Sequence, residues 1–87
     1  MNTFFIGAKV FFIGGSPYIF CGCTEVGTGE YSIRFSEHHY GAIDVVVSVG
    51  ETIRLSEGRS PQPSFQPIQG IRFKEIKKDS ITVEYVY

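Results

Sequence analysis

Apolar and polar residues alternate with period two along nearly the whole chain, and no window carries an apolar stripe at helical spacing. Strands are therefore expected throughout, and no substantial helix. The clearest alternation is YSIRF, which puts Tyr31, Ile33 and Phe35 on one face and Ser32 and Arg34 on the other. IDVVVSV, Ile43 to Val49, sets Ile43, Val45, Val47 and Val49 against Asp44, Val46 and Ser48, and ETIRL, Glu51 to Leu55, sends Ile53 and Leu55 inward. The chain closes on a hairpin, IRFKEIK, the turn KDS and ITVEYVY, in which Ile81, Val83, Tyr85 and Tyr87 share a face. Lys9 to Ile13, KVFFI, is apolar at consecutive positions, as for a strand covered on both faces, and the preceding MNTFFIGA reads as core strand as well. It has no basic leader, and Gly7 and Lys9 interrupt a run too short to span a bilayer.

Turn signals divide these segments. GGSP, Gly14 to Pro17, restarts the chain into Tyr18–Thr24, and the glycines of VGTGE, Val26 to Glu30, predict a hairpin connection. Between the fifth strand and the closing hairpin, Pro61, Pro63 and Pro67 rule out a central strand and predict an extended loop over residues 57–70. Six to seven short antiparallel strands in one domain, residues 1–87, fit a small SH3-like barrel or β-roll, with a two-sheet sandwich as the alternative. The order of features in IGAKVFF followed by YIFCGCTEVGTGEYSIRF is repeated in VGETIRL followed by IRFKEIKKDSITVEY, an internal echo compatible with a duplicated half-barrel.

The opening hairpin phrase, GAKVFF, YIFCGCTEV and YSIRF, resembles the start of SH3-like barrels, a pattern common to many modules. VGETI at Val49–Ile53 and IRFKEIKKDSITVEYV at Ile71–Val86 are mildly similar to the carbon storage regulator family of RNA-binding proteins. That resemblance covers fewer than half of the residues. The family's basic first strand would align with IDVVVSV, which has no Arg or Lys, and its C-terminal helix has no counterpart, so the resemblance implies only a nucleic-acid alternative for function.

Composition narrows the function classes. In 87 residues, 43% hydrophobic and 15% aromatic content is rich for a lone domain, which buries only about 60% of its unfolded surface. A homo-oligomer is therefore expected, with a protein or small-molecule ligand as further partner. Eight basic and nine acidic side chains leave a formal charge of −1, so no global field draws the chain to nucleic acid or membrane. A cytoplasmic location is the default expectation.

Chemistry is sparse. Cys21 and Cys23, one glycine apart in PYIFCGC, would point to the same face of a strand together with Ile19, and with His38 or His39 they could hold zinc. Structural zinc sites space paired cysteines more widely, and two thiols on an apolar face are expected to be buried and inert, with Gly22 marking a bend or a close approach of backbone. No metal site, cofactor or catalytic residue is expected. In SEHHYG, Glu37, His38, His39 and Tyr40 form a polar and aromatic cluster suited to ligand contact, but no nucleophile motif completes a catalytic set. Phe65 and Ile68 offer apolar anchors in the proline loop for a partner surface. Arg34, Arg54, Arg72 and Lys74 take outward positions on three strands and could touch nucleic acid beside Phe11, Tyr18 or Tyr40, although cross-strand ion pairing with neighbouring glutamates is the simpler role. The expected function is a non-enzymatic binding module.

Overall fold

A computed structural model of the chain describes residues 2–11, 17–37, 41–54 and 70–87, with the side chain of Arg54 not among them. The described residues are all β, in eight strands: β1 (Asn2–Phe5), β2 (Lys9–Val10), β3 (Tyr18–Gly27), β4 (Glu30–Glu37), β5 (Gly41–Ser48), β6 (Thr52–Arg54), β7 (Gly70–Lys77) and β8 (Ser80–Val86). They form two four-stranded antiparallel sheets, ordered β2-β3-β4-β5 and β1-β8-β7-β6, and one sheet curls into a half-barrel. No helix among the described residues is long and apolar enough to cross a membrane.

The sheets are joined at two edges by continuous chain. β1 runs into β2 through a bend at Gly7, and β5 runs into β6 through a bend at Gly50, both glycines having positive φ, +96° and +86°. Counting each bent pair once leaves six strands in a meander, within the six to seven expected. The core lies between the sheets, built from Val10, Phe20, Ile33, Phe35 and Val47 on one side and Ile71, Phe73, Ile76, Ile81 and Val83 on the other. In β4, β5 and β8 these are inward positions that alternation assigned, whereas Val49 and Tyr87, assigned to the same faces, lie just past the ends of β5 and β8 and are 51% and 63% exposed.

The sequence echo is a structural repeat. Gly7 N–H donates to Phe20 O and Phe20 N–H to Ala8 O, both at 2.9 Å; Gly50 N–H donates to Phe73 O at 2.6 Å and Phe73 N–H to Glu51 O at 3.1 Å. Lys9 pairs with Ile19 and Val10 with Tyr18, just as Thr52 pairs with Arg72 and Ile53 with Ile71. Each long strand then carries a β-bulge one residue past its phenylalanine, between Phe20 and Gly22 and between Phe73 and Glu75. The fold is thus two copies of one unit: a strand bent at glycine, a bulged strand, and its hairpin partner.

Two expectations for the N-terminal segment change. Lys9–Val10 is an edge strand, with Val10 fully buried but Lys9 and Phe11 exposed, because the outer face of its sheet meets solvent. The opening residues form the edge strand of the other sheet, where Phe4 packs on the core and Phe5 is 63% exposed.

Candidate functional site

The β3 bulge brings polar, charged and thiol groups to one surface. Phe20 pairs with Phe35 and Cys23 with Ile33, all facing the core, but between them Cys21 has no partner and Gly22 stands opposite Arg34. One inserted residue resets the alternation, so Cys21 turns outward and Cys23 inward. The expectation that the two thiols share a buried face is corrected: Cys21 is exposed, its thiol donating to Ile19 O at 3.4 Å, while Cys23 packs on the core. Burial pushes the Cys23 thiol up to about 11. Thiols on opposite sides of one strand cannot ligate one ion together, and no cluster of three or more potential ligands occurs among the described residues.

Gly22 adopts φ +116°, a conformation that L side chains rarely take. A Cβ there would sit 3.3 Å from Lys78 O, the same carbonyl that accepts the Cys23 N–H at 3.0 Å. Glycine therefore lets the β7–β8 turn lie against β3 where β1 leaves it. Next to this crossing opens a groove of about 350 Å³, lined by Ile6, Cys21, Ser32, Arg34, Asp44 and Lys78, among others. Arg34 on β4 is opposite Asp44 on β5 and binds it with two hydrogen bonds, Nε to Oδ1 at 2.9 Å and Nη2 to Oδ2 at 3.1 Å. That pairing holds the Asp44 carboxyl below the usual carboxylate range. The groove thus offers a thiol, a hydroxyl, an ion pair and a lysine beside one apolar wall, groups that orient a small polar ligand.

The residues singled out from sequence do not converge on it. Arg34 alone lies there. Arg72, on the other sheet, donates to Thr52 Oγ1 at 3.0 Å and to Glu84 Oε1 at 3.1 Å, across its register neighbours. Lys74 is the exposed extra residue of the β7 bulge, and the backbone of Arg54 pairs with Gly70. The four cations are therefore divided between two sheets, and the two described guanidinium groups are engaged in cross-strand pairs. Glu37 ends β4 opposite Gly41. His38, His39, Tyr40, Phe65 and Ile68 lie outside the described residues.

Nothing in the sequence identifies Ile6, Asp44 and Lys78 as neighbours of Cys21. Gly22 between two cysteines was the available signal, since it marked a backbone approach without naming the approaching segment. No protein-family model, curated protein or solved structure matches the chain.

Proposed function

We propose that the chain is a non-enzymatic binding module, a small β-domain that self-associates and presents its surface to a protein or small ligand. The observation that carries this reading is the exposure of large apolar side chains around the two bends: Phe5 at 63%, Ile6 at 56%, Val46 at 57% and Val49 at 51%. A domain whose core already takes ten apolar residues gains by covering such positions in an assembly. A small ligand would bind in the groove beside Cys21, where Lys78 and the outer edge of Arg34 favour an acceptor-rich molecule.

The nucleic-acid alternative draws on Arg34, Arg72 and Lys74. Pairing of Arg34 with Asp44 and of Arg72 with Glu84 weighs against it, because a phosphate would have to displace a carboxylate at each. Light scattering over a wide concentration range tests the main reading: an assembly of two or more chains is expected. A species of 9.7 kDa at the highest concentration would overturn self-association, and salt-sensitive binding of short RNA would transfer the argument to the alternative.

A further inference from the structure

Four of the described strands lie at sheet edges: β1 and β6 in one sheet, β2 and β5 in the other. Natural edges are kept short, bulged, or marked with Lys or Pro, because their unpaired backbone groups are templates for another strand. β2 has two residues and β1 four, and β6 has three described residues. β5 has eight, GAIDVVVS, without Pro or Lys, and runs against β4 from Gly41 to Ser48 with no register shift. Its one charge, Asp44, is bound to Arg34.

Hydrogen bonding shows which groups face the open side. Phe20 directs its N–H and C=O to Ala8 and Gly7, away from β4. The register Phe20, Phe35, Ile43 then turns the groups of Phe35 toward β5 and those of Ile43 back toward β4. Ala42, Asp44 and Val46 consequently point both backbone groups outward. Ser48, next in this series, agrees: its N–H donates to Glu51 Oε1 at 2.7 Å and its C=O accepts from Glu51 N–H at 3.0 Å. That cap ends the edge at the bend, and among the described residues no strand lies along Ala42, Asp44 and Val46.

We infer that β5 pairs antiparallel with β5 of a second copy of this chain across a two-fold axis, joining the two four-stranded sheets of β2-β3-β4-β5 into one eight-stranded sheet. This rests on the self-association proposed above and names its surface. Antiparallel pairing of a strand with itself is self-complementary about a dyad, so one patch serves both subunits. Within the stretch, Val46 gains a neighbour for its exposed side chain, and the Arg34 partner of Asp44 offsets the like charges that the dyad brings together.

Val46→Pro in the full chain is the direct test. It deletes an outward N–H that makes no bond to β4, so the chain's own ladder is retained. Wild type is expected at the mass of two chains, and V46P at the mass of one, with association weakened about tenfold or more and an unchanged far-ultraviolet circular dichroism spectrum. In wild type, hydrogen exchange at the Asp44 and Val46 amides should slow as concentration rises, in step with the mass; this measurement stands even if V46P fails to fold. An unchanged two-chain mass in a folded V46P would overturn the β5 interface while leaving self-association intact. A wild-type monomer would overturn both. Slow exchange at these amides in a one-chain species would show that the chain's own residues cover the edge, and would also overturn the inference.

Discussion

The two repeats share a plan but differ at one residue with large consequences. At the position just past the bulge, the first has Gly22 at φ +116°, whereas the second has Glu75, and no residue other than glycine has positive φ among those described. The first bulged strand also receives the β7–β8 turn through Lys78 O, whereas Glu75 is an exposed residue paired with Lys77 at 3.3 Å. A bulge is therefore a property of the common unit, while the left-handed backbone belongs to the crossing that only one unit makes. Repeated sequence specifies repeated hydrogen bonds, and the exception marks where the halves meet.

Paired substitutions at equivalent positions measure how far the two units differ. Phe20→Ala and Phe73→Ala remove equivalent core side chains, 0% and 2% exposed, and each should cost about 3–5 kcal/mol by urea unfolding. Phe20 should be the costlier by about 0.5–1.5 kcal/mol, because its ring also meets Phe35, with centroids 6.1 Å apart and planes tilted by 50°. Equal losses would show that the aromatic pair adds nothing to the first unit.

Gly22→Ala should cost about 1–3 kcal/mol, from its positive φ and the Lys78 carbonyl, whereas Glu75→Ala should fall within about 0.5 kcal/mol of wild type. Matching midpoints for these two variants would refute the asymmetry. At the bends, Gly7→Ala and Gly50→Ala meet no atom within 4 Å, so only backbone strain remains, about 1 kcal/mol in each. A marked difference between them would show that the bends are not equivalent.

Smaller still is the pH effect of the Asp44 ion pair. Its hydrogen bond to Arg34 lowers the Asp44 pKa from 3.8, so its contribution is complete above that value and is lost as acid takes the pH down through the folded pKa. Carbon-detected titration should show Asp44 returning toward 3.8 in Arg34→Gln, with little change in melting temperature near neutral pH. A final comparison involves no stability change: both bulges aim their extra residue at solvent. Native protein at pH 8 should label at Cys21 and far more slowly at Cys23, whose thiol is part-buried and pushed up to about 11. Lys74→Cys should add a second fast-labelling thiol, and slow labelling there would separate the two bulges.

Much of this architecture was legible in the chain because β4, β5 and β8 keep strict alternation over a one-sided core. The echo of IGAKVFF and YIFCGC in VGETIRL and IRFKEI also aligned the residues that superpose in hydrogen bonding, Gly7 with Gly50 and Phe20 with Phe73. The faces of the cysteines were not legible, since a bulge shifts the period without a unique sequence mark. The groove was hidden for another reason: Ile6 and Lys78 come from opposite ends of the chain, and only the tertiary crossing at Gly22 brings them to Cys21. Edge exposure was likewise invisible, because KVFFI reads the same whether its outer face meets a helix, a sheet or water.

The pairing of β1 with β8 has a kinetic meaning. Thr3 and Thr82 meet at 3.0 Å although 79 positions separate them, whereas β3, β4 and β5 are joined in sequence by hairpin pairings. Loop closure of that length is entropically slow, so the three-stranded meander should form early and β1 should dock last, after the final hairpin exists. During synthesis β1 must wait, unpaired, until β8 has emerged. Substitutions in β1 should accordingly quicken unfolding while leaving the refolding rate nearly untouched.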